Sequence, residues 1–151
     1  MIRRRIREGL RAGTIAAAAT AGALVALGRA HGDALRPVNS VAHILIGSRA
    51  YYLEGVHWLV TPVALAVHLL SIMAWGIILS LLTPRLRGAG LYAASLAFAA
   101  FTGGVDYRVV PDRLRPGFES GLSGTEIAVV YFVLGISLAW GLGRERESTT
   151  A

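Results

Sequence analysis

The stretch HWLVTPVALAVHLLSIMAWGIILSLL, residues 57–82, contains no aspartate, glutamate, lysine or arginine. As a helix rising about 1.5 Å per residue, it exceeds the roughly 30 Å of hydrocarbon in a bilayer. A soluble domain of this size has nowhere to hide such a segment. Working outward, residues 12–30, 89–105 and 125–142 read the same way, each near the length of a span and each with few or no charges. Together the four explain why 54% of the 151 residues are hydrophobic and 16% charged, and why the mean hydropathy is +0.56. The sequence therefore predicts an all-α integral membrane four-helix bundle, with the whole chain forming one transmembrane domain. The absence of cysteine excludes disulfides, thiolate metal sites and cysteine nucleophiles. A chain of 151 residues with four spans leaves no room for a separate soluble catalytic domain.

A formal charge of +6 and a pI near 10.7 would suggest nucleic acid in a soluble protein. The distribution of charge argues otherwise. All 15 basic residues are arginine. Nine of them (Arg3, Arg4, Arg5, Arg7, Arg11, Arg85, Arg87, Arg144 and Arg146) lie on the side of the spans that holds both termini, opposed there only by Glu8, Glu145 and Glu147. The other side carries six arginines and six acids. By the positive-inside rule the face with both termini is cytoplasmic. The expected partner is the lipid bilayer, with other membrane proteins or a second copy of the chain as further candidates, and no nucleic acid.

The N-terminal segment also has the outline of a secretory signal peptide, with arginines ahead of an alanine-rich run at 14–28. The run is long enough to span, and Arg29 stands where a small cleavage residue would be needed, so it is read as the first span. Gly9, Gly13, Ala16, Ala17, Thr20 and Ala23 form a ridge of small residues that lets neighbouring helices approach, which suits a central helix.

In the first outer loop, Pro37 is expected to stop what precedes it. Asn39 or Ser40 would then cap a short helix over 41–53, too short to span, lying at the outer interface with Tyr51 and Tyr52 at headgroup level. Residues 106–124 hold Pro111, Pro116, Gly117, Gly121 and Gly124 and read as an ordered irregular loop. Phe118 is expected to pack down on the helix ends. Arg113 and Glu119 are expected to pair with Asp106, Glu126 or the short helix, making the loop a lid.

Candidate site residues come from helical spacing. His57, Thr61, Ala64, His68, Ser71 and Trp75 share one face of the second span, and Gly88, Tyr92, Ser95, Ala99, Thr102 and Asp106 one face of the third. Polar groups in hydrocarbon cost several kcal/mol unless partnered, so the stripes should face inward and toward each other as a polar seam, with His68 neutral and bonded to Ser95, Thr102 or Tyr131. His57, Asp106 and Glu126 should share one level near the outer face, with His43 above. That set could hold a divalent metal or relay a proton, yet it lacks the spacing that makes a metal site specific. Haem needs two histidines at matched depth, and only His68 is deep. No cofactor is therefore expected, and whether a metal binds is left open.

The segments Pro37-Val-Asn-Ser-Val-Ala-His43 and Val105-Asp-Tyr-Arg-Val-Val-Pro-Asp-Arg-Leu-Arg-Pro-Gly-Phe-Glu119, with His57, His68, Ser71 and Trp75 between them, resemble a family of small proteobacterial inner-membrane proteins. A more distant likeness, in histidine and aromatic rhythm, is to YagU-type membrane proteins. The resemblance implies a multi-pass four-helix fold in the bacterial inner membrane and no assigned reaction. Two functions follow as expectations. The first is a non-enzymatic structural, assembly or regulatory component of the cell envelope, favoured by small size and the lack of nucleophiles. The alternative is small-molecule, proton or metal binding or transport through the histidine-containing seam.

Overall fold

The glycines and alanines of the first long helix dictate how the others gather. In the computed structural model, which describes residues 2–147, this helix is α1 (Ile2–Ala30). The other elements are α2 (Arg36–Ser40), α3 (His43–Ile46), α4 (Val60–Leu82), α5 (Gly88–Arg108) and α6 (Gly124–Glu147), with 3₁₀ turns at Ser48–Tyr52, Asp112–Leu114 and Phe118–Ser120. No strand occurs among the described residues. A Cβ at Gly76 of α4 would stand 2.5 Å from the carbonyl oxygen of Gly9, and one at Gly141 of α6 would stand 2.8 Å from the Cα of Ala12. Backbone therefore touches backbone on two sides of α1, as the small-residue ridge requires. α4 packs on one side of α1, α6 on the other, and α5 packs chiefly on α6. α4 and α5 meet only at points, such as the edge-on rings of Trp75 and Phe98 at 5.8 Å. The four long helices thus form an arc in the order α4, α1, α6, α5, with a gap between its ends.

Four helices are long and apolar enough to cross a membrane: α1, α4, α5 and α6. Their outward faces are apolar too, with Leu70, Phe101 and Phe132 well exposed. That inverts the pattern of a soluble bundle, whose outer faces are polar. The α1 helix starts ten residues before the expected span at 12, because nothing in 2–11 breaks it and Glu8 is reached by Arg4 and Arg5 one turn earlier.

At the end of the bundle that holds both termini, Glu8 is almost fully buried. Arg5 donates to it at 2.7 Å, Arg4 lies 3.3 Å away and Ser80 of α4 is 3.4 Å away. Arg146 of α6, also buried, sits 3.8 Å from Glu8 and donates to the Leu86 carbonyl at 2.6 Å and to Thr83 at 3.3 Å. This knot joins α1, α4, α6 and the turn before α5.

At the opposite end, the single 41–53 helix expected from sequence is replaced by α2, α3 and a 3₁₀ turn. Pro37 sits in the first turn of α2, where its missing N–H costs nothing, so it starts a helix where it was expected to end one. Asn39 caps nothing. Its amide donates to the carbonyls of Leu53 and Gly55 at 3.0 and 2.9 Å, and its oxygen accepts from Thr61 at 2.8 Å. Gly47, at φ +81°, breaks the chain between α3 and the 3₁₀ turn.

Gly76→Val should force α1 and α4 apart and cost at least about 1–3 kcal/mol, the range for overpacking a close contact. Gly143→Ala, with open space around its Cβ position, should leave the melting temperature in detergent unchanged or slightly raised. Equal melting of the two variants would refute the close-packed α1–α4 seam.

Candidate functional site: a roofed cavity between the ends of the arc

A cavity of about 120 Å³ lies in the half of the bundle nearest the loops. Thr20 of α1 forms its back. His68, Ser71 and Trp75 come from α4, Asp106 from α5 and Tyr131 from α6, and Leu114, Pro116 and Phe118 make the roof.

His68 faces inward because Thr61, Ala64 and His68 recur at helical spacing on the buried side of α4. Its Nε2 is 2.9 Å from the Thr20 hydroxyl, which itself donates to the Ala16 carbonyl at 2.8 Å. The Thr20 proton is thereby used, so Thr20 accepts from His68 Nε2–H and leaves Nδ1 as the lone-pair nitrogen. The partners expected from sequence, Ser95, Thr102 and Tyr131, do not bond His68, because α1 and not α5 lies against α4, and Tyr131 of α6 gives its hydroxyl to Asp106. Ser95 and Thr102 are fully buried elsewhere. Thr102 donates to its own helix at the Ala99 carbonyl, 2.9 Å, and the Ser95 hydroxyl has no hydrogen-bond partner among the described residues. The two polar stripes therefore do not form one seam. His57 leaves the stripe as well: it precedes α4, its backbone N–H donates to Thr61 at 3.0 Å and its ring to the Glu54 carbonyl at 3.0 Å.

Across the cavity, Tyr131 donates to Asp106 Oδ2 at 2.6 Å. Asp106 is half-buried and forms no ion pair among the described residues. The outer-face cluster of His43, Asp106, Arg113, Glu119 and Glu126 is not assembled. Glu126 accepts from Ser123 N–H at 2.8 Å and lies 2.6 Å from His31 Nε2. Ser123-Gly-Thr-Glu126 is thus a capping box that opens α6, a signal carried by the local sequence. His43 donates from Nδ1 to the Ser40 carbonyl at 2.8 Å and stacks on Tyr51 at 4.7 Å. Arg113 is exposed, Glu119 is exposed, and Asp112 takes Arg115 at 2.9 Å. Among the described residues no three His, Asp or Glu side chains gather as metal ligands.

The roof is held from below and from the side. Phe118 is buried and meets the His68 ring edge-on at 6.5 Å. Gly117 has φ +84°, and a Cβ there would stand 2.9 Å from both the His43 ring and the Ser40 carbonyl. Only glycine fits that left-handed position against so close a neighbour. Asp33 braces the other loop, accepting from the amides of Leu35, Arg36 and Gly55 at 2.8, 2.7 and 2.7 Å. Partial burial pushes its carboxyl up, but those three amides outweigh it and hold the pKa below the ordinary 3.8.

No protein-family model, curated protein or solved structure matches the chain.

Gly117→Ala should lift the roof. Trypsin, acting at Arg113, should then cut the loop several-fold faster than in the wild type, and equal rates would refute the docked roof. Asp33 carries a depressed folded pKa, so its stabilisation is complete above about pH 4 and is lost as pH falls through the folded value. Asp33→Asn should lower the melting temperature at pH 7, and the difference from the wild type should shrink steadily as the pH falls below 4.

Proposed function

We propose that this protein is a multi-pass protein of the bacterial inner membrane, with both termini cytoplasmic, that binds a small molecule in the roofed cavity between α4, α5 and α6. One observation carries the reading: Asp106, a carboxylate without an ion-pair partner among the described residues, faces a cavity in the apolar part of the chain. Asp106 stands at the loop end of α5 and is half-buried, and an ionisable group turned into an apolar cavity and not out to water is the kind that marks binding sites and pathways. In the fold, Asp106 accepts one hydrogen bond, from Tyr131, which a neutral amide or hydroxyl acceptor would serve as well without a charge. The arginine excess on the side of the termini supports the orientation. No covalent chemistry is assigned: Ser71 and His68 both line the cavity, but the hydrogen bond found for His68 is to Thr20 and not to Ser71.

Reporter fusions at Arg87 and Glu147 should read cytoplasmic, and one at Gly121 external; the reverse pattern would refute the orientation. In detergent, benzyl alcohol or benzylammonium should raise the melting temperature saturably, since a ligand at a hundred times its Kd stabilises by about 2.7 kcal/mol. Ser71→Phe, which fills the cavity, should abolish the shift. No saturable shift with either probe would sink the binding reading.

A further inference from the structure

We infer that the cavity takes a small organic cation, a protonated amine on a compact apolar body; this rests on the binding reading above and names its ligand class. The charge balance of the walls comes first. Asp106 supplies the negative charge, and Tyr131 occupies only Oδ2. No arginine lines the cavity: Arg115 pairs with Asp112, Arg36 donates to the Tyr51 and Ser120 carbonyls, and Arg108 and Arg113 are exposed. An anionic ligand would meet no compensating charge here, whereas a cation would complete an ion pair partly sheltered from water, where charges attract more strongly than in bulk solvent.

The hydrogen-bond inventory agrees. Thr20 fixes Nε2 of His68 as a donor, so Nδ1 is a lone-pair acceptor, and the second oxygen of Asp106 is another. Ser71 can serve either way, and the Tyr131 proton is already spent on Asp106. The cavity therefore asks its occupant for donors, and an ammonium brings three and no acceptor. The apolar walls agree as well. Trp75, Phe118 and Tyr131 all line the cavity, and aromatic faces stabilise cations by their quadrupole as well as receiving an apolar body. Size sets the last limit. At about 120 Å³ the space is slightly smaller than the roughly 150 Å³ engineered cavity that accommodates benzene, so the body is about the size of one small ring. A metal ion is a poorer fit, because no three ligand side chains converge among the described residues.

The test begins with the cavity residues unchanged. With Trp58→Phe and Trp140→Phe, both at exposed positions, Trp75 alone reports. Benzylammonium should change its emission saturably, while benzyl alcohol, of the same shape without the charge, should bind at least tenfold more weakly and benzoate not detectably. Asp106→Asn should reduce benzylammonium affinity at least tenfold and leave benzyl alcohol unchanged. Benzyl alcohol or benzoate binding as tightly as benzylammonium would overturn this inference and leave the cavity as a binding site. Failure of all three probes to produce a saturable change would overturn both.

Discussion

The contact on which the rest depends is backbone against backbone between α1 and α4, where Gly9, Gly13 and Gly76 meet without side chains between them. Helices apolar enough to cross a membrane would feel no hydrophobic force toward one another in lipid; close van der Waals approach holds such helices together, and small residues such as glycine and alanine permit it. The same helix offers Ala12 to Gly141 of α6 on its other side. With both flanks of α1 taken, α5 packs chiefly on α6. The gap between α4 and α5 is therefore a geometric consequence of where the small residues lie, and the cavity is the upper part of that gap.

The two ends of the bundle handle polarity in opposite ways. At the terminal end, Glu8 and Arg146 are both buried, and arginines, Ser80, Thr83 and a backbone carbonyl surround them. A buried charge pair is weakly stabilising at best, but removing one member strands the other. This knot therefore locks α6 to α1 and to the turn before α5. At the loop end, Asn39 and Asp33 perform the same locking with neutral amides and backbone donors. The half-buried Asp106 is left out of both networks, receiving only the Tyr131 hydroxyl.

The four long helices and the central role of α1 were legible because hydrophobic length and small-residue spacing act within one helix. The site was legible in part. His68 and Asp106 were marked by polarity inside apolar runs, but their partners were not, since periodicity states which way a side chain points and not which helix it meets. Thr20 shows the difference: it read as one small residue of a ridge and became the partner of His68 once α1 lay against α4. The broken first loop was hidden for a similar reason, because Asn39 spends its amide on Leu53, Gly55 and Thr61, bonds that no local pattern encodes. Glu8 was hidden in plain composition. Among arginines one turn away it reads as a solvated helix pair, and only Arg146 and Ser80, distant in sequence, turn it into a buried knot.

Asp106 and Glu126 show why level alone does not make a cluster. Both stand near the loop end on adjacent helices, yet Glu126 belongs to the first turn of α6, where Ser123 N–H and the helix N-terminus draw its carboxylate outward to His31. Asp106 lies near the last turn of α5, where a helix presents carbonyls and not N–H groups, so the backbone offers it no donor and the macrodipole disfavours its charge. The nearest hydroxyl, Tyr131, points into the gap, and following it turns the carboxylate inward. Helix polarity thus separates two acids that share a face, sending one to solvent as a cap and leaving the other at the cavity with one hydrogen bond and an uncompensated charge.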